Sequence, residues 1–484
     1  MKLNRIFSLV IVLALMLALV PVASAQGPAG TWVSGIACQN LDDVNDATIT
    51  LSFYPEGSGT SVLDYDDTIP AGTSKNYYTP SSPPGLPTTF LGSVIVTSST
   101  PLACNINTQT TGNGTSGSPF RMAAASGFDN TETGMTMYSP QVMKLFSSTW
   151  SSYIAVQNAT TSSVDVTVTY RDRYGVAVPA ATETATIPAF SNNVFYQTEN
   201  AGLPTGFLGA ATVTGTGKIA VVTNFYNAGT VSSNSQFQSY DGFADGTTKL
   251  LVPRFVRRFY GFNGGMSIQN IGANPTTVTI VFTFAGTNYT YHSPSIQPGA
   301  ALALYATNIA ELTAVDALPM GQRFGSAVIT SDASQKIIAI VNEDNRGLAA
   351  DNNGSAVPVE RISQGNTYNA FPDGAQTDTI FFAQVTAGAS AKFSGGFQVA
   401  NTTSTPTTCT ATFNKQAGLT YTFNLVAYGS ASVYAPNVPG IVSGYNGSVT
   451  VVCGQPVVGI ANLSAILGTG LVGDSSTGTN GLNR

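Results

Sequence analysis

Four kinds of side chain in this 484-residue sequence could take part in chemistry: one histidine, four cysteines, 25 carboxylates and a short arginine run. His292 is the sole histidine, so serine–histidine relays and histidine-based metal sites lack a second member. Set in Tyr289-Thr-Tyr-His292, it reads as a strand residue with a solvated ring. Cys38, Cys104, Cys409 and Cys453 lie too far apart, with no histidine partners, for a zinc or redox motif. Paired carboxylates could cleave glycosides, yet Asp129, Asp245 and Asp373 stand at matching turn positions, which is backbone architecture. Asp42, Asp43 and Asp46, with Asp64, Asp66 and Asp67 approaching Ile69-Pro70, leave calcium binding open, although their spacing matches no loop signature. Arg254, Arg257 and Arg258 alternate with Phe255 and Phe259. They could meet acidic polysaccharide, but charges that block pairing along an edge strand are the preferred reading. No catalytic residue, metal ligand or cofactor is expected.

The compartment is read from the first residues. Lys2 and Arg5 precede an apolar run over residues 6–20, followed by Pro21 and Ala23-Ser24-Ala25, which reads as a secretory signal peptide over residues 1–25 with cleavage before Gln26. The run is shorter than the roughly 20 residues that span a bilayer, and no later run approaches that length. No integral membrane segment is expected after cleavage, and the product is placed outside the cell or at its surface. There cysteines pair as disulfides. Charged residues make up 9% of the chain where about 25% is ordinary. The formal net charge of −6 becomes more negative without Lys2 and Arg5, which argues against a nucleic-acid partner.

The elements that must position these residues repeat. Trp32-Val-Ser-Gly-Ile-Ala-Cys-Gln-Asn40 matches the phrases Trp150 to Asn158, Phe262 to Asn270 and Phe393 to Asn401, each with an aromatic eight residues before the asparagine. Next come Tyr78, Tyr196, Tyr305 and Tyr434, then Leu86-Pro87, Leu203-Pro204, Leu318-Pro319 and Val438-Pro439. Gly92, Gly209, Gly325 and Gly447 follow, and phrases ending in Asn107, Asn224, Asn342 and Asn462 close each unit. The order is constant at a period of about 117 residues, the signature of a repeat architecture. The recurring aromatics and tyrosines read as core or interface positions, since recurrence at one strand position is what packing demands.

Within a unit the apolar period is two, as in Val164-Asp-Val-Thr-Val-Thr-Tyr170 and Thr277-Val-Thr-Ile-Val-Phe-Thr-Phe284, so alternate side chains face a core and solvent. Turns such as Ile187-Pro188 and Pro298-Gly299 bound the strands. Six strands are expected per core. A seventh comes from residues 135–145, 249–256 and 377–385, two of these segments holding a proline of the kind tolerated on an edge. Residues 109–127 and 347–374, rich in Asn, Gly, Ser and Thr, read as flexible inter-module surface.

Strand count, unit length and repetition together resemble the immunoglobulin-like and fibronectin-type-III-like modules strung along bacterial exported surface and adhesion proteins. The fold class expected is all-β, four tandem antiparallel Ig-like β-sandwich modules over residues 26–130, 131–246, 247–374 and 375–484. No unit shows paired core cysteines with an intervening tryptophan, so antibody-type domains are not matched. The resemblance implies binding or spacing: a non-catalytic structural or adhesive protein of the cell surface or matrix. Its partners would be other surface proteins, further copies of itself or extracellular polysaccharide, and an array of carbohydrate-binding modules is the alternative.

Placement on the repeat suggests a Cys38–Cys104 disulfide in the first module and Cys409–Cys453 in the fourth, reinforcing terminal modules that have one neighbour each. The seventh strand has only three copies, because Gln26 stands just six residues before Trp32. A terminal module with a bare sheet edge, and self-association end to end, are expected on that ground.

Overall fold

The computed structural model describes residues 28, 30–111, 114–115, 117–227, 235–345 and 358–484. The signal peptide expected over residues 1–25 lies outside the described residues. The chain is nearly all β, in several antiparallel sheets. Helical pieces among the described residues are short 3-10 turns, the longest being Ala310–Ala317.

The first unit contributes β1 (Thr31–Asn40), β2 (Ala47–Pro55), β3 (Leu63–Ile69), β4 (Ser74–Tyr78), β5 (Gly92–Ser98), β6 (Leu102–Thr111) and β7 (Met122–Ser126). The second has β8 (Gly134–Lys144), β9 (Trp150–Asn158), β10 (Val164–Asp172), β11 (Glu183–Ile187), β12 (Asn192–Tyr196), β13 (Phe207–Asn227) and β14 (Phe237–Asp241). The third runs through β15 (Lys249–Val256), β16 (Asn263–Asn270), β17 (Val278–Phe284), β18 (Thr287–His292), β19 (Ala301–Tyr305), β20 (Phe324–Ser331), β21 (Ile337–Asp344), β22 (Gly365–Asn369) and β23 (Phe371–Pro372). The fourth closes with β24 (Thr377–Ala389), β25 (Phe393–Asn401), β26 (Thr407–Phe413), β27 (Thr420–Leu425), β28 (Ser430–Tyr434), β29 (Tyr445–Ala465), β30 (Ser476–Asn480) and β31 (Leu482–Asn483).

Each unit builds the same two sheets. In the third unit the inner sheet has the order β19-β16-β21-β22 and the outer sheet β18-β17-β20-β15-β23. In the second and fourth units one long strand, β13 or β29, pairs in both: its first half with the outer strands and its second half with the inner ones. The first unit has β4-β1-β6-β7 inside and only β3-β2-β5 outside. The seventh strands expected from sequence are β8, β15 and β24. Pro140 and Pro253 sit beside register shifts in β8 and β15, where a missing N–H costs no ladder bond. β15 is therefore not an edge strand, as its proline had suggested; β23 pairs on its far side.

Period-two burial fills a core in each unit, the third unit's continuing into Ala400, Val458 and Ile460 of the fourth. Val164, Val166, Val168 and Tyr170 are buried in the second unit, and Val278, Ile280, Phe282 and Phe284 in the third. Three of the four repeated glycines mark where two backbones nearly touch, while Gly447 lies against the Lys415 side chain. A Cβ would collide with Tyr54 O at Gly92, Arg171 O at Gly209 and Thr283 O at Gly325, so no larger residue fits there. The repeated asparagines are turn clamps. Asn158 Nδ2 donates to Ser162 O and Ile187 O, while its Oδ1 accepts from Thr160 N; Asn40, Asn270 and Asn401 do the same in their units.

One expectation is overturned at this level. The units do not form a string whose ends have one neighbour each; they close on themselves. β7 packs against β14 and β30, and β22 packs against β14 and β30, so the last inner strands of all four units meet around one axis. The stretches read as flexible surface over residues 109–127 and 347–374 thus supply β7 and β22, two of these buried axial strands.

Candidate functional site

The axial cluster is where the chain concentrates buried polar groups. At one end stands Asp474, fully buried, two residues before β30. Its Oδ2 accepts from Phe237 N at 2.8 Å and its Oδ1 from Gly365 N at 2.9 Å, while its own N–H donates to Phe120 O at 2.8 Å. One residue of the fourth unit is thereby bonded to the other three. Burial pushes its carboxyl well up, against the pull of the N–H donors and the nearby Arg121 guanidinium. Glu360, also buried, accepts from Gly468 N and Gly470 N and ties the third unit to the fourth.

At the other end the final residues of the four axial strands, Ser126, Asp241, Asn369 and Asn480, occupy equivalent places. Each amide reaches back to the main chain of the preceding unit. Asn480 Nδ2 donates to Asn369 O at 2.7 Å and its Oδ1 accepts from Asn369 N at 3.0 Å. Asn369 Nδ2 donates to Asp241 O at 2.7 Å. Asp241 Oδ2 accepts from Ser126 N at 3.1 Å, but its solvent-inaccessible Oδ1 has no partner. Burial, with Glu132 nearby, pushes its carboxyl up to about 7. The strand ends enclose a void of about 10 Å³, room for about one water.

Three of the four recurring aromatics contribute to seams between units. Trp32 of the first unit packs on Phe237 of the second, ring centroids 4.7 Å apart, and Phe393 of the fourth faces Phe120 of the first at 6.0 Å. Trp150 packs on Phe225, which joins Met143, Tyr240 and Ile340 in an apolar cluster shared by the second and third units. Phe262 is buried. Of the tyrosines, Tyr196 and Tyr305 are half-buried, whereas Tyr78 and Tyr434 are exposed, against their reading as core or interface positions.

Arg254 and Arg257 are buried in ion pairs, and β15 is paired on both sides rather than guarded as an edge, while Arg258 stays half-exposed. Arg254, 8% exposed, is bidentate to Glu343, with Nε–Oε2 2.5 Å and Nη2–Oε1 2.7 Å, and its Nη1 crosses to Gln398 Oε1 of the fourth unit at 2.7 Å. Arg257 is bidentate to Asp316, and Arg258 lies 3.6 Å from the same carboxylate.

The remaining candidates are dispersed. His292 is exposed on β18, its Nδ1 3.1 Å from Thr279 Oγ1. The acids of the first unit serve separate partners: Asp42 closes its own turn, Asp46 holds Ala71 N, Asp64 takes Ser61, Asp66 takes Thr50 and Asp67 takes Lys75 and Tyr77. Among the described residues no group of three acidic, histidine or cysteine side chains could hold a metal ion. Asp129, Asp245 and Asp373 cap turns or pair with lysines. Cys38 is bonded to Cys104 and Cys409 to Cys453, each across neighbouring strands of one sheet, with Cα atoms 4.1 Å apart. A second concavity of about 250 Å³ lies in the first unit between Pro55, Val62, Phe90 and Leu91, with Glu56 at its edge. No helix among the described residues is long and apolar enough to cross a membrane.

No family model and no curated protein matches the chain. Among solved structures, a Thermotoga maritima protein aligns at 14% identity over 26% of this chain and 96% of its own, with a TM-score of 0.19. A tetra-tandem repeat from the extending region of a large adhesion protein aligns at 15% identity over 96% of this chain and 97% of its own, at a TM-score of 0.11. A serine-rich repeat adhesion glycoprotein of Streptococcus agalactiae aligns at 7% identity over 72% and 96%, at 0.10. Superpositions this poor carry no argument about fold or role.

Proposed function

We propose that this chain is an exported, non-catalytic structural or adhesive component of the cell surface or matrix, made of four Ig-like β-sandwich units. The observation that supports this most is where the reactive side chains go. Buried acids, arginines and amides are engaged in joining unit to unit: Asp474 holds three other units, Glu360 bridges the third and fourth, and Arg254 with Glu343 lies in the seam to Gln398. A nucleophile, base and oxyanion donors converging on a cleft, as bond cleavage needs, are not assembled by these contacts. Disulfides within the first and fourth units suit an oxidising compartment.

Fractionation of producing cells with an antibody to the folded chain, followed by electron microscopy of labelled surface material, tests the reading. The chain is expected in the surface or matrix fraction, uncleaved polysaccharide being recovered after incubation with the pure protein. A cytoplasmic pool, or turnover of a glycan that disappears with the protein, would contradict it.

A further inference from the structure

Among the described residues, the outer sheet of the first unit has no counterpart of a strand that the other three units have. In those units β8 pairs with β13, β15 with β20 and β24 with β29, all antiparallel. The equivalent strand, β5, pairs with β2 alone among the described residues. Burial records the difference. Two inward-facing positions along the shared strand are Ala211 and Val213, Ala327 and Ile329, and Val449 and Val451, all at most 2% exposed; their counterparts Val94 and Val96 are only half-buried. Among the described residues, one row of main-chain N–H and C=O groups and a strip of the first unit's core are thus uncovered together, which is the template on which strand addition works.

The other units define what fits. The covering strands put Met137, Ser139 and Val142, or Leu250, Val252 and Phe255, or Ile380, Phe382 and Val385 opposite the three successive inward positions, and all nine are buried. The pattern is apolar-x-apolar-x-x-apolar, the extra residue being a bulge, with serine tolerated once. These strands also face the next unit: β8 lies on β16 and β21, β15 on β25 and β29, and β24 on β1 and β6. Between the first and second units no described strand supplies that layer. The contact there is made directly by Ser93 Oγ to Phe190 O, Val194 N to Glu56 Oε1 and the ring pair Tyr54–Phe190. A strand along β5 would therefore extend an interface the molecule already uses three times.

We propose that the β5 edge is an acceptor site for an extended segment of a partner polypeptide, running antiparallel to β5 and carrying that apolar spacing. The occupant is a partner's strand and not a second copy's outer strand, since β8, β15 and β24 are all built into their own sheets. Surface placement is not required for this site to bind.

The test uses the exported, processed protein and, as probe, a synthetic peptide of residues 377–387, beside a scrambled peptide of the same composition. Hydrogen exchange is read at the amides of β5 and of β13, β20 and β29. Without peptide, the edge-facing amides of β5 should exchange at least tenfold faster than their counterparts. With the ordered peptide they should slow at least tenfold in a saturable way, the thermal midpoint rising as well, and the scrambled peptide should do neither. Protection already present without peptide, as when residues ahead of Pro28 lie along the edge, overturns the proposal. So does equal behaviour of the two peptides, which would mean nonspecific adhesion to an apolar strip.

Discussion

Two side chains show how identical positions acquire different chemistry. Asp241 stands where Asn369 and Asn480 stand in later units, and both amides donate to a main-chain carbonyl through the atom that corresponds to its unpartnered oxygen. A carboxylate cannot donate; a carboxylic acid can. Burial and Glu132 favour the acid, holding the group at about 7, while Glu132 is itself raised by burial and by Asp129. Folding therefore takes up a proton that the unfolded chain releases near the ordinary value of 3.8. The stability from Asp241 is complete below that value, falls as pH climbs, and is gone above about 7. Asp241→Asn should remove this slope: the thermal midpoint of the native protein should drop relative to the variant between pH 4 and 7.5, with parallel profiles counting against the assignment. Arg254 illustrates a different risk. Arg254→Ala leaves Glu343 buried and unpaired and should cost about 3–5 kcal/mol in denaturant unfolding, whereas replacing both by apolar residues of similar volume should recover most of the loss.

At the scale of elements, what alternation could reveal was legible. Strands such as β10 and β17 have one buried and one wetter face, so their period of two is written in Val164 to Tyr170 and Val278 to Phe284. The glycine and asparagine phrases were visible too, because a close backbone crossing and a turn clamp each demand one residue type. The axial strands were not. Met122–Ser126, Gly365–Asn369 and Ser476–Asn480 are covered by neighbours on several sides, and small and polar residues suit that crowding as well as they suit a loop. Asp474 and Asp241 look like turn acids until strands more than a hundred residues away arrive beside them. The disulfides belong at this scale, since each ties two adjacent strands. Cys38→Ala with Cys104→Ala should cost about 2–5 kcal/mol and lower the unfolding midpoint, and reduction of the wild-type protein, which opens Cys409–Cys453 as well, should lower it further.

The whole molecule is a ring of four units whose joints take the polar and aromatic residues that a string of modules would leave at its surface. The first unit meets the fourth through Asn107 with Gln384, Gln39 with Thr450, and Phe120 with Phe393, contacts that sequence repetition alone cannot announce because they join opposite ends of the chain. Closure also accounts for the buried acids at the axis, which have no purpose in an isolated sandwich. Small-angle X-ray scattering of the purified protein in dilute solution measures this most directly. A closed body of this length should give a radius of gyration of about 23–25 Å. A value of roughly 40 Å, the size of four such units laid end to end, would contradict the ring.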